Sequence, residues 1–78
     1  MLRTRYSKEA SNYLFDNSSL VFELQVTVED LVFSNGVPRE GFHYVDPFGT
    51  HVWEIMDHIV VYRIEGRFLI VETVMPVN

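Results

Sequence analysis

Seventy-eight residues, 47% of them hydrophobic and 14% aromatic, are enough for one folded domain and too apolar for a disordered chain. The formal charge of −5, from six Lys and Arg against eleven Asp and Glu, argues against nucleic acid as the main partner, because phosphate binding draws its affinity from cations. With no cysteine there is no disulfide framework, thiolate nucleophile or thiolate metal site; no segment has the length of a membrane span or the apolar run of a signal peptide, and a cytoplasmic location is expected.

Leu2 to Tyr6 alternates apolar and polar residues and predicts a strand. Ser7 is a good N-cap for a helix that carries Ala10, Tyr13 and Leu14 on one face and ends near Asp16-Asn17. Asn17 or Ser18 then caps a longer helix running to about Phe33. Its core face holds Leu20, Val21, Leu24, Val28, Leu31 and Val32. The β-branched residues of this segment favour a strand, but the 3.6-residue period over its length decides for helix. Ser34-Asn35-Gly36 stops the helix, with Pro38 just beyond. Arg39 to Thr50, centred on Asp46-Pro47-Phe48-Gly49, reads as a loop or a short irregular hairpin.

From His51 to Met75 β-branched and aromatic residues dominate, and tight breaks at Met56-Asp57 and Glu65-Gly66 divide the run into three strands. Two-residue loops there would pair Ile55 with His58, Glu54 with Ile59, Val52 with Val61, Val61 with Ile70 and Ile59 with Glu72. One face then carries Trp53, Ile55, His58, Val60, Tyr62, Ile64, Leu69 and Val71 and meets the helices. The other carries Val52, Glu54, Ile59, Val61, Arg63, Phe68, Ile70 and Glu72. The expected fold is α+β: one domain over residues 1–78, with a four-stranded, mainly antiparallel sheet in the order β-α-α-β-β-β and two helices packed on one face.

Two segments carry a family resemblance. Tyr6-Ser7-Lys8-Glu9-Ala10-Ser11-Asn12-Tyr13-Leu14 is similar to the strand-to-helix junction of the RelE/ParE toxin superfamily of bacterial toxin–antitoxin modules. Trp53-Glu54-Ile55-Met56-Asp57-His58-Ile59-Val60-Val61-Tyr62-Arg63-Ile64 resembles its central hairpin. The order of elements follows the same plan over nearly the whole chain. The resemblance implies that the face bearing Val61 is the concave, substrate-facing one. It also locates departures: Glu54 and Ile59 stand where the family has hairpin arginines, Met56 stands for the turn glycine, and the chain ends without the arginine or tyrosine of ribonuclease members. A carboxylate and an alkyl group can neither hold a scissile phosphate nor stabilise charge developing on it. The resemblance therefore implies a toxin scaffold without the usual chemistry, acting by protein contact as a degenerate toxin or a toxin–antitoxin component. The alternative is an active toxin that blocks translation or another essential process through a non-standard site.

The residues suggest partner contact more than catalysis. An apolar three-strand face formed by Val52, Ile59, Val61, Phe68 and Ile70, with Glu54 and Arg63 among them, calls for a cover. Phe22, Val26 and Phe33 form a second apolar stripe, consumed either by the first helix or by a partner. An antitoxin-like protein or a second copy of the chain is expected on one of these surfaces, with a homodimer the simplest assembly. No catalytic residue can be assigned from the sequence; Arg63 and His58 come nearest, against plainer readings as one half of an ion pair with Glu72 and as a hairpin residue beside Asp57. His43, His51 and His58 lie on different segments without metal-ligand spacing, so neither a metal nor another cofactor is expected.

Overall fold

The computed structural model describes residues 1–77. In chain order it contains β1 (Arg3–Tyr6), α1 (Lys8–Asp16), α2 (Ser18–Glu29) with a 3-10 extension over Asp30–Ser34, β2 (Phe42–Val45), β3 (His51–Ile55), β4 (His58–Glu65) and β5 (Phe68–Pro76). The α+β class holds, but the sheet has five strands in the order β1-β5-β4-β3-β2 rather than four. The extra one is β2, inside the stretch expected to be a loop or irregular hairpin. It pairs antiparallel with β3, Tyr44 opposite Val52 and Val45 opposite His51. The Asp46-Pro47-Phe48-Gly49 turn closes this hairpin: Asp46 Oδ1 accepts from the Phe48 and Thr50 amides at 2.8 and 2.9 Å, and Gly49 takes the left-handed conformation.

Local chemistry accounts for most element boundaries. Ser7 caps α1, its hydroxyl accepting from the Ala10 amide at 3.0 Å. Asn17 both ends α1 and begins α2, with its side-chain amide donating to the Tyr13 carbonyl. The helical period of α2 is broken at Val21, whose backbone is non-helical. This rotates Leu20, expected in the core, out to 83% exposure, while Val21, Leu24, Val28 and Leu31 remain buried. Val32 is only half-buried, because the last turn tightens to 3-10 geometry and shifts the angular spacing. Asn35, left-handed at the end of that turn, and Gly36 then stop the helix.

The β3–β4 register is the expected one, from Ile55 opposite His58 to Val52 opposite Val61. The β4–β5 register differs. The turn residues are Gly66-Arg67, so Glu65 pairs with Phe68 and Arg63 with Ile70. A bulge between Val61 and Tyr62 then moves Val61 opposite Thr73 and Ile59 opposite Met75, not Ile70 and Glu72 as expected. The bulge leaves Glu72 without a direct partner on β4. Its carbonyl accepts instead from the Ser7 hydroxyl at 2.6 Å, so one serine caps α1 and anchors it to β5.

Up to the bulge the register is shifted by two residues, which preserves the faces; beyond it the shift is three, and Val74 rather than Thr73 turns inward. Trp53, Ile55, Val60, Tyr62, Leu69, Val71 and Val74 are buried with Ala10, Leu14, Val21, Leu24, Val28 and Leu31 in a single core between the sheet and the helices. Its polar atoms find partners: the Tyr62 hydroxyl donates to the Gly36 carbonyl at 2.6 Å, and Trp53 Nε1 to the Glu40 carbonyl at 2.8 Å. Tyr6 donates to the Glu29 carboxylate and ties β1 to the end of α2. Among the described residues no helix is long and apolar enough to cross a membrane.

Candidate partner-binding surface

The sheet face turned away from the helices assembles residues from all five strands. Directly opposed residues share a face, so the pairings define rows across the sheet. One row runs Phe42, Glu54, Ile59, Met75, and the next Tyr44, Val52, Val61, Thr73. Beyond the bulge come Arg63, Ile70, Arg5 and then Glu65, Phe68, Arg3. Seven of the eight residues assigned to this face from sequence, Val52, Glu54, Ile59, Val61, Arg63, Phe68 and Ile70, lie in these rows, and the eighth, Glu72, reaches Arg63 from the bulge. Of these, the five apolar ones are half-buried, and no element among the described residues covers them.

The face has two halves of different character. Toward β2 it is apolar and aromatic, and Glu54 sits directly opposite Ile59. These are the two positions where the resemblance locates the family's arginines. Toward β1 it is charged, because β1 joins β5 in parallel and brings Arg3 and Arg5 alongside Arg63. These residues could not be placed on the sheet from sequence. Arg63 is held between two carboxylates, Glu65 at 2.9 Å and Glu72 at 3.3 Å. The ion pair with Glu72 is thus diagonal across the bulge, not between opposed residues, and Glu65 is an additional partner. At this exposure each pair adds under about 1 kcal/mol. Their main effect is to occupy the guanidinium, so Arg63 presents little free positive charge. The Arg5 guanidinium lies 3.9 Å from the centre of the Phe68 ring, a cation–π contact.

Arg63 and His58 do not come together. They lie on opposite faces of β4, and the His58 ring is engaged at both nitrogens. Nδ1 donates to the Met56 carbonyl and Nε2 accepts from the Tyr13 hydroxyl, each at 2.8 Å. His58 is thereby a clip between α1 and the β3–β4 turn. Asp57 does not orient it; that residue occupies the turn in the left-handed conformation, and its carbonyl accepts from Val77.

Phe22, Val26 and Phe33 remain exposed, so α1 does not consume the stripe on α2. A groove of about 480 Å³ opens beside it, lined by Leu20, Phe22, Met56 and His58. The stripe and the sheet face lie on opposite sides of the molecule.

The other two histidines form a pair. His43 and His51 meet across the β2–β3 hairpin, Nε2 to Nδ1 at 2.9 Å, with their rings nearly parallel. His51 also stacks on Tyr62, ring centres 4.5 Å apart. Burial lowers the His51 pKa from its ordinary value, and a charge on His43 lowers it further. Burial pushes the Tyr62 phenol well above its usual range. The signal for this pair was the turn at Asp46-Pro47-Phe48-Gly49: read as a hairpin, it brings residues 43 and 51 to neighbouring positions on one face. Among the described residues, no three His, Asp or Glu side chains converge as a metal site would require. No family model, curated protein or solved structure matches this chain.

Proposed function

We propose that this chain is a RelE/ParE-like scaffold that works by protein contact in the cytoplasm, as a degenerate toxin or as the toxin-fold component of a toxin–antitoxin module. In this reading the open sheet face receives a segment of an antitoxin-like partner. One observation supports it above the others: Val52, Ile59 and Val61 lie on adjoining rows with Phe42, Tyr44 and Met75, with Ile70 and Phe68 beyond them among charged residues, while the central arginine on that face is paired with Glu65 and Glu72. Completing the burial of Val52, Ile59, Val61, Phe68 and Ile70 would contribute about 1 kcal/mol each, half the value for full burial, before the cost of association.

The test is co-expression with the product of the adjacent reading frame, followed by affinity capture and titration. Val61→Lys places an ammonium in the middle of the apolar rows and should lower affinity at least roughly a hundredfold. Unchanged capture by Val61→Lys with loss in Val26→Lys would move the interface to the helix stripe and refute the assignment to the sheet.

A second reading, an active toxin with a non-standard site, draws on the Arg3, Arg5 and Arg63 cluster. It requires growth arrest on expression that is abolished by Arg63→Ala. Arrest unaffected by Arg63→Ala and Arg5→Ala together would eliminate it.

A further inference from the structure

Among the described residues both edges of the sheet are free, and they differ in charge. The β1 edge carries Arg3 and Arg5, so two copies meeting there would bring like charges together. The β2 edge, Phe42-His43-Tyr44-Val45, has no Lys, Arg, Asp or Glu and no proline. Its apolar side chains stand out: Phe42, Tyr44 and Val45 are 69%, 51% and 48% exposed. Edge strands are ordinarily protected by charge, proline or a covering element, and β2 has none of these.

The hairpin ladder identifies which backbone groups are free. Asp46 donates to the Thr50 carbonyl, which makes this an inward-bonded pair. By antiparallel alternation Tyr44 and Phe42 also bond inward to β3, and His43 and Val45 turn their N–H and C=O groups to the open edge. We propose that β2 is a self-association edge, where a second copy of this chain adds its own β2 antiparallel about a two-fold axis at Tyr44. His43 of one copy then exchanges both backbone bonds with Val45 of the other, and the reverse. These four bonds lie wholly within the two strands. Tyr44 meets its counterpart across the axis on the open face, in a non-hydrogen-bonded position that suits an aromatic pair. The product is one continuous ten-stranded sheet with both helical layers on the same side.

A second copy fits this edge because the register about Tyr44 is reciprocal and because, of the two edges, β2 is the one without Lys, Arg, Asp or Glu; the −5 of each chain acts at longer range, where salt screens it. The nearest carboxylate, Asp46, is folded back onto the Phe48 and Thr50 amides. The inference goes beyond the partner reading above, since it uses the free backbone edge of β2, at the margin of the rows to which Phe42 and Tyr44 belong, and leaves the face around Val61 open.

The chain has no cysteine, so single substitutions are clean probes. In a non-hydrogen-bonded antiparallel pair the opposed Cα atoms are about 4.5 Å apart, within disulfide reach. Under mild oxidation Tyr44→Cys should form a disulfide-linked dimer at least roughly tenfold faster than Phe22→Cys, whose site is as exposed but lies on the helix stripe. In sedimentation at high micromolar concentration the unmodified chain should dimerise, and Tyr44→Lys should be monomeric with unchanged circular dichroism. Equal crosslinking of the two cysteine variants, a dimer that survives Tyr44→Lys, or a strictly monomeric unmodified chain would each overturn the proposal. Because Tyr44 shares a row with Val61, the crosslink is repeated in a Val61→Lys background: a Tyr44→Cys disulfide that forms at the same rate there separates the edge from the sheet face, and its loss there would overturn the proposal.

Discussion

Gly41, the residue that leads into β2, should be among the least replaceable in the chain. Its φ is +83°, and a Cβ built there would lie 2.5 Å from the Glu54 carbonyl oxygen and 2.8 Å from Trp53 Nε1. Three costs follow for Gly41→Ala. The left-handed backbone costs an alanine about 1–2 kcal/mol. The clash is with the backbone of β3, which the sheet holds in place, and overpacking of this kind costs about 1–3 kcal/mol. Displacing the indole weakens its bond to the Glu40 carbonyl, about another 1 kcal/mol. A total of roughly 3–6 kcal/mol is a large share of the 5–15 kcal/mol typical of native domains. Gly49 provides the control: its φ is +86°, and a methyl group there would meet nothing within 4 Å. Gly49→Ala should lose only the conformational cost, about 1–2 kcal/mol. Urea unfolding followed by the fluorescence of the single Trp53, with circular dichroism in parallel, measures both variants. Equal losses would show that the close approach of Gly41 to β3 is not what the position requires.

Other consequences are measurable in the same way. Met56 and Asp57 both have positive φ in the β3–β4 turn, so Met56→Asn, which tolerates that conformation, should stabilise by about 0.5–1 kcal/mol in urea titration; a loss would mean that the Met56 side chain matters more than its backbone strain. His51 has a lowered pKa in the fold, so the unfolded chain binds its proton more readily, and this stabilisation is present above pH 6.5 and lost as pH falls below it. His51→Gln should flatten the decline of the unfolding midpoint between pH 7 and 5, and an unchanged slope would count against the His43–His51 pair. Tyr6 and Tyr62 have raised pKa values, with burial the leading cause for both and the Glu29 carboxylate adding to the effect on Tyr6. They ionise more readily when unfolded, so stability should fall as pH rises above 10, and Tyr62→Phe should remove part of that fall even though it lowers stability at neutral pH by about 1–2 kcal/mol.

Elements whose determinants lie within a few residues were legible in the sequence. Ser7 caps α1 because its hydroxyl reaches the Ala10 amide, Asn35-Gly36 ends the helical segment through left-handed backbone, and the period-two alternation of β3, β4 and β5 separates Trp53, Val60 and Tyr62 from Val52, Val61 and Arg63. The last of these also made the open face readable as far as the bulge, because a two-residue slip in register leaves side chains on their side of the sheet; past Glu72 the bulge reverses the alternation of β5. Features that depend on distant segments were not legible. Strand β2 has only four residues, and its pairing with β3 is what defines it. Leu20 leaves the core through one non-helical residue at Val21, which the hydrophobic period cannot encode. Arg3 and Arg5 join Arg63 only because β1 pairs in parallel with β5, more than sixty positions away along the chain. The Glu72 bulge is stabilised by Ser7, which is equally remote in sequence. Local sequence determines a residue's own backbone and the side of the element it occupies; only the packed fold decides which distant side chain stands beside it.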